Sequence, residues 1–337
     1  MQACAPGKLI LSGEHSVVYG APALALAVKR HIKCHSADAV QSGLTWSLPE
    51  LQRQGHISWS ELARQAQRLD TRFSMFERNE LPVAAILQAP EQLLLYAIAQ
   101  LMPQPCPLSG ISIQVNSELP PGAGMGSSAA ASAAILTLSE ALFNKPLTSD
   151  EKFRLVRYCE RLCHGRGGLI DAAAVTCGGL IKVQNGGVTE LTAQLGGGWF
   201  YVNSGTPESG TGECVEQVRQ QFADDAVWSQ FAGLTLRLEQ AISAADDTTA
   251  LTTALIRENH RLLQYIGVVP AAVSRFIDRL ELLGAAAKIS GAGSVTGDAG
   301  GALLIYAPTI DIAPLCAEFG YSFMAIEEDS KGARLCD

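Results

Sequence analysis

Three polar residues in apolar surroundings have types suited to chemistry. Lys8 precedes an apolar strand-like run, and Asp171 follows a glycine-rich turn. Glu160 falls on the apolar stripe of a helix that a capping box of Thr148 and Glu151 predicts. Lysine and glutamate are seldom buried without a partner or a metal ion. The Asp171 carboxylate can orient a hydroxyl group and accept its proton, and Lys8, paired with Asp171, can stabilise the alkoxide that develops. These residue types favour transfer of a group to an alcohol.

A glycine-rich segment follows a predicted strand at 111–115 and precedes an alanine-rich predicted helix that extends to about Phe143. Glycines allow close approach to a ligand, and the free N–H groups at a helix start attract phosphate. The segment lacks the Gly-Lys-Ser/Thr of a Walker A loop and is not G-x-G-x-x-G. A tight packing turn is the alternative. The residues predicted to cradle the anion are Pro121, Gly122, Ala123, Gly124, Met125, Gly126, Ser127 and Ser128.

Two oxygen ligands for a hard cation accompany this segment. The Ser128 hydroxyl, at the predicted helix start, can coordinate magnesium beside phosphate oxygens, and Glu160 can supply a second oxygen. A partly exposed glutamate at the edge of the stripe is the alternative. A further glycine-rich loop at 288–301 joins two predicted strands and can close over a triphosphate, although strand connections often contain glycine.

Composition limits the class of protein. The 337 residues carry a net charge of -8 without clustered lysine or arginine, which argues against nucleic-acid binding. Mixed helix and strand patterns predict an α+β protein, and glycine clusters at 185–198 place a domain boundary that gives 1–188 and 189–337. We predict strands at 17–19, 200–203, 286–290, 302–306 and 322–326, and helices at about 213–222, 248–266 and 270–283.

The cysteines and the apolar runs bear on location. Nine cysteines without a C-x-x-C pair fit a reduced compartment without disulfides. Cys159, Cys163, His164 and Cys177 match no common zinc template, so packing residues are the better interpretation. No apolar run reaches the length of a membrane span, and the N-terminus lacks a signal-peptide pattern. We therefore expect a cytoplasmic protein. The more polar segment 42–79 suggests an insertion or a lid.

Three segments together resemble the signature motifs of the GHMP kinases, in the order of that family. They are residues 6–20, 120–130 and 288–301. The run Gly-Glu-His-Ser-Val-Val-Tyr-Gly at 13–20, and the stretch from Glu160 to Asp171, are most similar to the mevalonate kinase branch. The resemblance implies a two-lobed α+β fold, with an N-terminal lobe like ribosomal protein S5 domain 2 and a ferredoxin-like C-terminal lobe.

The resemblance also implies an activity, which is phosphorylation of the primary alcohol of mevalonate by ATP with Mg²⁺. The implied substrate is a small molecule, and the family suggests a homodimer. Asp171 matches the catalytic aspartate and Lys8 the lysine of the first motif, whereas Ser128 and Glu160 match the magnesium ligands. The residues expected on the substrate side are Glu14, His15 and Thr211.

Two departures from the family pattern leave alternatives open. Residues 167–169 read Gly-Gly-Leu where mevalonate kinases usually have Pro-Ser-Gly, and residues 294–298 replace a shorter glycine run. The acceptor pocket and the nucleotide contacts can therefore differ. The alternatives are a related kinase acting on phosphomevalonate or a sugar, a decarboxylating relative, which the Lys8 and Glu160 set disfavours, and a non-catalytic binding protein of the same fold.

Overall fold

The computed structural model describes residues 1–120, 122, 124–165 and 167–336, so Pro121 and Ala123 of the predicted anion cradle lie outside the described residues. Up to residue 191 the elements are β1 (Gln2–Ser12), β2 (Ala23–Asp38), β3 (Gly43–Leu48), β4 (Arg53–Ile57), α1 (Trp59–Glu77), α2 (Glu91–Leu101), β5 (Gly110–Ser117), α3 (Ser127–Phe143), α4 (Ser149–His164), α5 (Leu169–Cys177), β6 (Leu180–Gln184) and β7 (Gly187–Leu191). The remainder comprises β8 (Trp199–Asn203), α6 (Thr211–Phe222), α7 (Val227–Ser243), α8 (Thr249–Tyr265), α9 (Ala271–Leu282), β9 (Ala286–Ile289), β10 (Ala302–Tyr306), α10 (Ala313–Phe319), β11 (Ser322–Ala325) and β12 (Arg334–Cys336).

The strands form two sheets. The larger has the order β12-β1-β2-β5-β3-β4, with β6 pairing β2 and β7 pairing β6, and the smaller has the order β11-β8-β10-β9. All neighbouring strands are antiparallel except β3 and β5. The segment 42–79 is thus part of the larger sheet and its helical cover, because it supplies β3, β4 and α1. The suggestion of a lid is wrong.

Helix α3 lies against β1 and β2 of the larger sheet. Its buried face consists largely of small side chains, including Ala130, Ala133 and Ala134, all with no exposed area. Alanine is the best helix former, and its small size lets the helix approach the strands closely. The first turn of α3 is thereby brought next to β1, the strand that carries Lys8.

Helix α4 begins at the capping box that the sequence predicts. The Thr148 hydroxyl accepts a hydrogen bond from the Glu151 N–H, and the Glu151 carboxylate accepts one from the Thr148 N–H at 2.8 Å. This reciprocal pair satisfies N–H groups that a helix start otherwise leaves free. The prediction is confirmed, and it fixes the phase of the helix that carries Glu160.

The predicted strand at 17–19 is wrong, because Ser16–Tyr19 form a turn of 3₁₀ helix. Gly13 at φ +98 starts the reversal, since a Cβ there would lie 2.5 Å from the Cα of Ala23. Tyr19 then stacks on Trp228 of α7 with ring centroids 4.0 Å apart. Helix α7 itself is missing from the predictions, although its buried residues Phe231, Leu234 and Leu238 recur at helical spacing.

The predicted strands of the second half agree with β8, β9, β10 and β11, and the predicted helices agree with α6, α8 and α9 within two residues. The division at 188/189 stays a prediction, and β7, which pairs in the larger sheet, lies across it. Among the described residues, no helix is long and apolar enough to cross a membrane.

A disulfide joins Cys4 to Cys336, whose Cα atoms lie 6.3 Å apart although 332 positions separate them in sequence. The expectation of a protein without disulfides is therefore wrong. Strand β12 pairs with β1 so that Arg334 lies opposite Cys4 and Cys336 opposite Gln2, which makes the two cysteines diagonal neighbours. Only this long-range pairing reveals which cysteines meet.

Replacing Cys4 by Ser is expected to lower the free energy of unfolding by roughly 2–4 kcal/mol, because a cross-link over a long loop restricts the unfolded chain. Urea unfolding without reductant measures the effect. A reductant should lower the free energy of unfolding of the unchanged protein and leave that of the variant unaltered. The control is Cys106→Ser, at a partly exposed free cysteine. Equal stability of the variant and the unchanged protein without reductant would contradict this expectation.

His260 on α8 is fully buried, and neither ring nitrogen has a hydrogen-bond partner in the described part of the chain. Burial lowers the pKa of His260 from 6.5 to about 3. Below pH 6.5 the unfolded chain binds a proton that the folded protein rejects, so stability falls by about 1.4 kcal/mol per pH unit. Burial also lowers the pKa of His15, to about 4, so His15 likewise makes the folded protein less stable as the pH falls.

We expect His260→Leu to reduce the loss of unfolding free energy between pH 7 and pH 5 by about 2 kcal/mol. Urea unfolding at the two pH values measures this difference. The contribution of His15 should remain in the variant. Identical losses in the variant and the unchanged protein would show that His260 is not held neutral.

Candidate active site

Lys8 and Asp171 form an ion pair, with the Lys8 Nζ 3.1 Å from the Asp171 Oδ1. The Lys8 side chain is almost fully buried, whereas that of Asp171 is 29% exposed. The pair lies where β1 passes the first turn of α5, which carries Asp171. A buried lysine needs a countercharge, and the exposed side of the carboxylate leaves it open to a ligand. The sequence predicted this pairing.

The glycine-rich segment reaches this ion pair. The Lys8 N–H donates to the Met125 carbonyl at 2.9 Å. A Cβ on Gly126, whose φ is +70, would lie 3.0 Å from the Lys8 Cγ and 3.3 Å from an Asp171 carboxylate oxygen. Only glycine therefore permits this approach. Gly126 is the N-cap of α3, so the free N–H groups at the helix start lie next to the pair.

The segment also lies against the smaller sheet. A Cβ on Gly124 would lie 3.4 Å from the Ala302 Cβ and 3.6 Å from the Ser290 carbonyl oxygen. A Cβ on Gly122 would meet Thr206 at 3.7 Å. An anion bound at the α3 start would consequently have residues of both sheets near it.

Ser128, in the first turn of α3, meets Glu160 of α4. The Ser128 hydroxyl donates to Glu160 Oε2 at 3.1 Å, and the other carboxylate oxygen is buried without a partner in the described ranges. Burial, together with the negative charge of Asp171, raises the pKa of Glu160 to about 8. A buried carboxylate with one unsatisfied oxygen beside a hydroxyl fits a hard cation. A bound cation would offset the cost of the unsatisfied oxygen and the cost of burying the negative charge.

His164 is a neighbour of the site to which the sequence gave no role there. Its Nε2 lies 3.6 Å from Glu160 Oε2, one helical turn away. Burial lowers the pKa of His164, and the charge of Asp171 opposes this shift. The i, i+4 spacing from Glu160 on one helix face was the available signal.

Glu14 and His15 follow the end of β1 and are both buried. The Glu14 carboxylate pairs with the ammonium group of Lys288 on β9, and both side chains are at most 1% exposed. The His15 Nε2 lies 3.0 Å from the Ala292 carbonyl, which can only accept, so Nε2 carries the proton. In the described chain Nδ1 of His15 has no partner and is left as an acceptor.

Thr211 is the first residue of α6 and is exposed. Among the described residues, no hydrogen bond or ion pair connects it to the other predicted site residues. The structure therefore brings together Lys8, Asp171, Ser128 and Glu160 with the glycine segment, and places Glu14 and His15 near the third motif. It does not bring Thr211 to them.

The third glycine-rich segment is fixed by short contacts within the second half of the chain. The Ser294 hydroxyl lies 2.6 Å from that of Ser209, and the Gly300 N–H donates to Ser204 at 3.0 Å. A Cβ on Gly293 would lie 2.2 Å from the Val268 carbonyl oxygen. The segment is thus held between the loop after β8 and the start of α9.

Residues 92–179 match the sequence family described as GHMP kinases N terminal domain. A mevalonate kinase from Thermococcus sibiricus is 29% identical over 324 residues, which cover 91% of this chain and 89% of that protein. A crystal structure of mevalonate kinase superimposes with a TM-score of 0.80 at 19% identity, covering 98% of this chain and all of the other. The Methanococcus jannaschii mevalonate kinase superimposes with a TM-score of 0.79 at 19% identity, covering 100% of this chain and 98% of its own.

Proposed function

With residues 92–179 belonging to the GHMP kinases and the whole chain carrying the fold of mevalonate kinases, we propose that this protein phosphorylates the primary alcohol of mevalonate with MgATP. The product would be 5-phosphomevalonate, an isoprenoid precursor. The predicted α+β GHMP kinase fold is confirmed, and the protein is a phosphotransferase with an alcohol acceptor. The identity of that alcohol is our proposal.

The observation that carries the proposal is the Lys8–Asp171 pair at the tip of the glycine segment. A carboxylate for the acceptor hydroxyl and a helix start for phosphate lie side by side. Phosphoryl transfer needs both groups within reach of one another, because catalysis rests on positioning and charge stabilisation. A non-catalytic binding protein has no need of a partly exposed carboxylate paired with a buried lysine.

In this mechanism Asp171 accepts a hydrogen bond from the acceptor hydroxyl and takes its proton as the oxygen attacks the γ-phosphorus. The bond from that phosphorus to the bridging oxygen breaks, and ADP leaves. Lys8 balances the charge of Asp171 and the charge that develops on the transferred group. The N–H groups at the start of α3 bind the phosphates. Ser128 and Glu160 would hold magnesium, which neutralises phosphate charge when bound.

The Gly-Gly-Leu run before Asp171 does not obstruct this arrangement. Leu169 is partly buried and packs against the apolar cluster that includes Ile10 and Ile170, so its bulk is accommodated at the edge of that cluster. Gly167 has no space for a side chain, because a Cβ would lie 2.2 Å from the Arg157 carbonyl oxygen. The run lacks the serine hydroxyl of the usual Pro-Ser-Gly pattern. Because this difference can alter the acceptor pocket, the identity of the acceptor needs a direct test.

An acceptor screen tests the proposal. ADP release is measured with mevalonate, phosphomevalonate and galactose at equal concentrations, and the phosphorylated product is identified by mass spectrometry. We expect kcat/KM for mevalonate to exceed the other values by at least about 100-fold, the discrimination that buried polar groups can provide. A preference for phosphomevalonate or the sugar would replace mevalonate as the acceptor. ATP binding without turnover on any of the three would favour a binding protein.

Glu160→Gln is expected to raise the magnesium concentration for half-maximal rate by roughly 10–100-fold, because an amide is a weaker ligand than a carboxylate for a hard cation. The rate is measured against free magnesium at saturating nucleotide. Asp150→Asn, on the exposed surface of the same helix, is the control and should leave the curve unchanged. An unaltered magnesium dependence in Glu160→Gln would remove Glu160 from the metal site.

A cytoplasmic location, which the sequence analysis expects, and a homodimer, which the family resemblance implies, also remain proposals. Sedimentation of the purified protein tests the second. A mass of one chain, at 35.7 kDa, would exclude a stable dimer.

A further inference from the structure

A group of buried polar residues lies between the end of β1 and the second half of the chain. The Ser12 hydroxyl contacts the Thr235 hydroxyl of α7 at 2.6 Å and accepts from the Asn259 side chain of α8 at 2.8 Å. Such groups are costly to bury and must be paired. These hydrogen bonds tie the end of β1 to α7 and α8.

Lys288 is the charged member of this group. Its side chain has no exposed area, and its ammonium group contacts the Glu14 carboxylate, the Ile10 carbonyl at 3.3 Å and the Ile289 carbonyl at 2.6 Å. An ammonium group has three donors, and here each has an acceptor. Two of those acceptors belong to β1 and the turn that follows it, whereas Lys288 itself belongs to β9 of the smaller sheet.

Ser290, which follows the end of β9, completes the contact. The Ile10 N–H donates to the Ser290 hydroxyl at 2.8 Å, so both backbone polar groups of Ile10 bond to the smaller sheet. The pairing of β1 with β2 shifts register between Ile10 and Ser12. Ile10 itself is still in register with Ala25 of β2, ahead of this shift. Ile10 is two residues from Lys8 on the same strand.

We propose that Lys288 is a positioning residue for phosphoryl transfer, which fixes the strand carrying Lys8 against the smaller sheet and the third glycine segment. Glu14 then acts through Lys288 and does not contact the acceptor. The inference rests on the proposed function in so far as Lys8 serves catalysis. Lys288 belongs to the third motif, at 288–301, and the family resemblance gave it no role. The inference assigns it one.

The polar character of the pair supports positioning over simple packing. A buried ion pair contributes little net stability compared with apolar side chains of similar volume, whereas removing one partner is strongly unfavourable. Directional bonds to Ile10 and Glu14 instead fix where β1 lies relative to β9. Apolar packing alone would tolerate small shifts, and shifts of about 1 Å near the reacting groups can cost roughly 100-fold in rate.

Three variants test the inference, namely Lys288→Met, Glu14→Gln and the double variant. Thermal unfolding, kcat, KM for MgATP and hydrogen exchange of the Ile10 amide are measured for each. We expect Lys288→Met to lower the melting temperature, to speed Ile10 exchange at least tenfold and to lower kcat at least tenfold with KM within threefold. The double variant should regain melting temperature, since no unpaired charge is left, while kcat stays low and exchange stays fast.

Recovery of kcat in the double variant to within twofold of the unchanged protein would overturn the inference, because the pair would then serve stability alone. Unchanged Ile10 exchange in Lys288→Met would overturn it as well. The matched control is Lys182→Met, which removes the cation of an ion pair with Glu239 between β6 and α7, outside the site. It should lower the melting temperature without altering kcat.

Hydrogen exchange is measured without substrates, so its result does not depend on the acceptor. If the unchanged protein phosphorylates none of the screened acceptors, the proposed function fails. The exchange of the Ile10 amide still decides whether Lys288 holds the strand. The two failures are therefore distinguishable.

Discussion

Asp171→Asn is expected to lower kcat by roughly 10²–10⁴-fold, the usual contribution of general acid–base assistance. Asparagine keeps the shape of the side chain and loses the ability to accept the hydroxyl proton. Since the glycine segment and the α3 start are unchanged, the affinity for MgADP should stay within about threefold. Steady-state kinetics with the preferred acceptor and calorimetric titration of MgADP measure the two effects.

The matched control for this substitution is Asp278→Asn, at an exposed position on α9. It should leave kcat and nucleotide affinity unaltered. Near-normal turnover in Asp171→Asn would exclude this carboxylate as the base. A large loss of nucleotide affinity with normal kcat would assign it to nucleotide binding instead.

Lys8→Met is expected to lower kcat by roughly 10²–10³-fold, the effect of removing one preorganised group that stabilises transition-state charge. Methionine fills a similar volume, so the apolar surroundings of the side chain should be preserved. The variant leaves Asp171 without its cation at the site. Single-turnover measurement separates the chemical step from product release.

A double variant with Lys8→Met and Asp171→Asn distinguishes a cooperating pair from two independent residues. Residues that act as one unit give a double loss close to the larger single loss. Losses that multiply would contradict a shared role. Lys29→Met, at an exposed lysine on β2, is the control for removing a positive charge and should retain normal kcat.

Residue chemistry was sufficient to predict which polar groups meet in the site. Lys8 is almost fully buried, and the requirement for a countercharge made Asp171 its expected partner. The placement of Glu160 beside Ser128 follows from helix phase, which the Thr148 capping box sets. The capping box depends on nearby sequence alone, whereas the Lys8–Asp171 pairing was inferred from residue types.

Features that depend on distant pairing could not be predicted. The register of β12 against β1 brings Cys4 to Cys336, and nothing near either cysteine encodes it. The partner of Glu14 is likewise 274 positions away, so the turn appeared free to contact substrate. Lys288 lies in an apolar run as Lys8 does, and the same argument applied there would have predicted a buried partner.

Strand β1 is made first and acquires several of its contacts last. Ser290 and Lys288, which bind Ile10, follow it by 280 and 278 positions, and its edge partner β12 comes later still. At about 5–20 residues per second, a ribosome needs roughly 15–60 s to deliver them. Throughout that interval the edge of β1 at Ile10 lacks these partners and can pair wrongly. During synthesis, β1 is therefore a strand that needs chaperone protection, and it is also the strand on which the proposed chemistry depends.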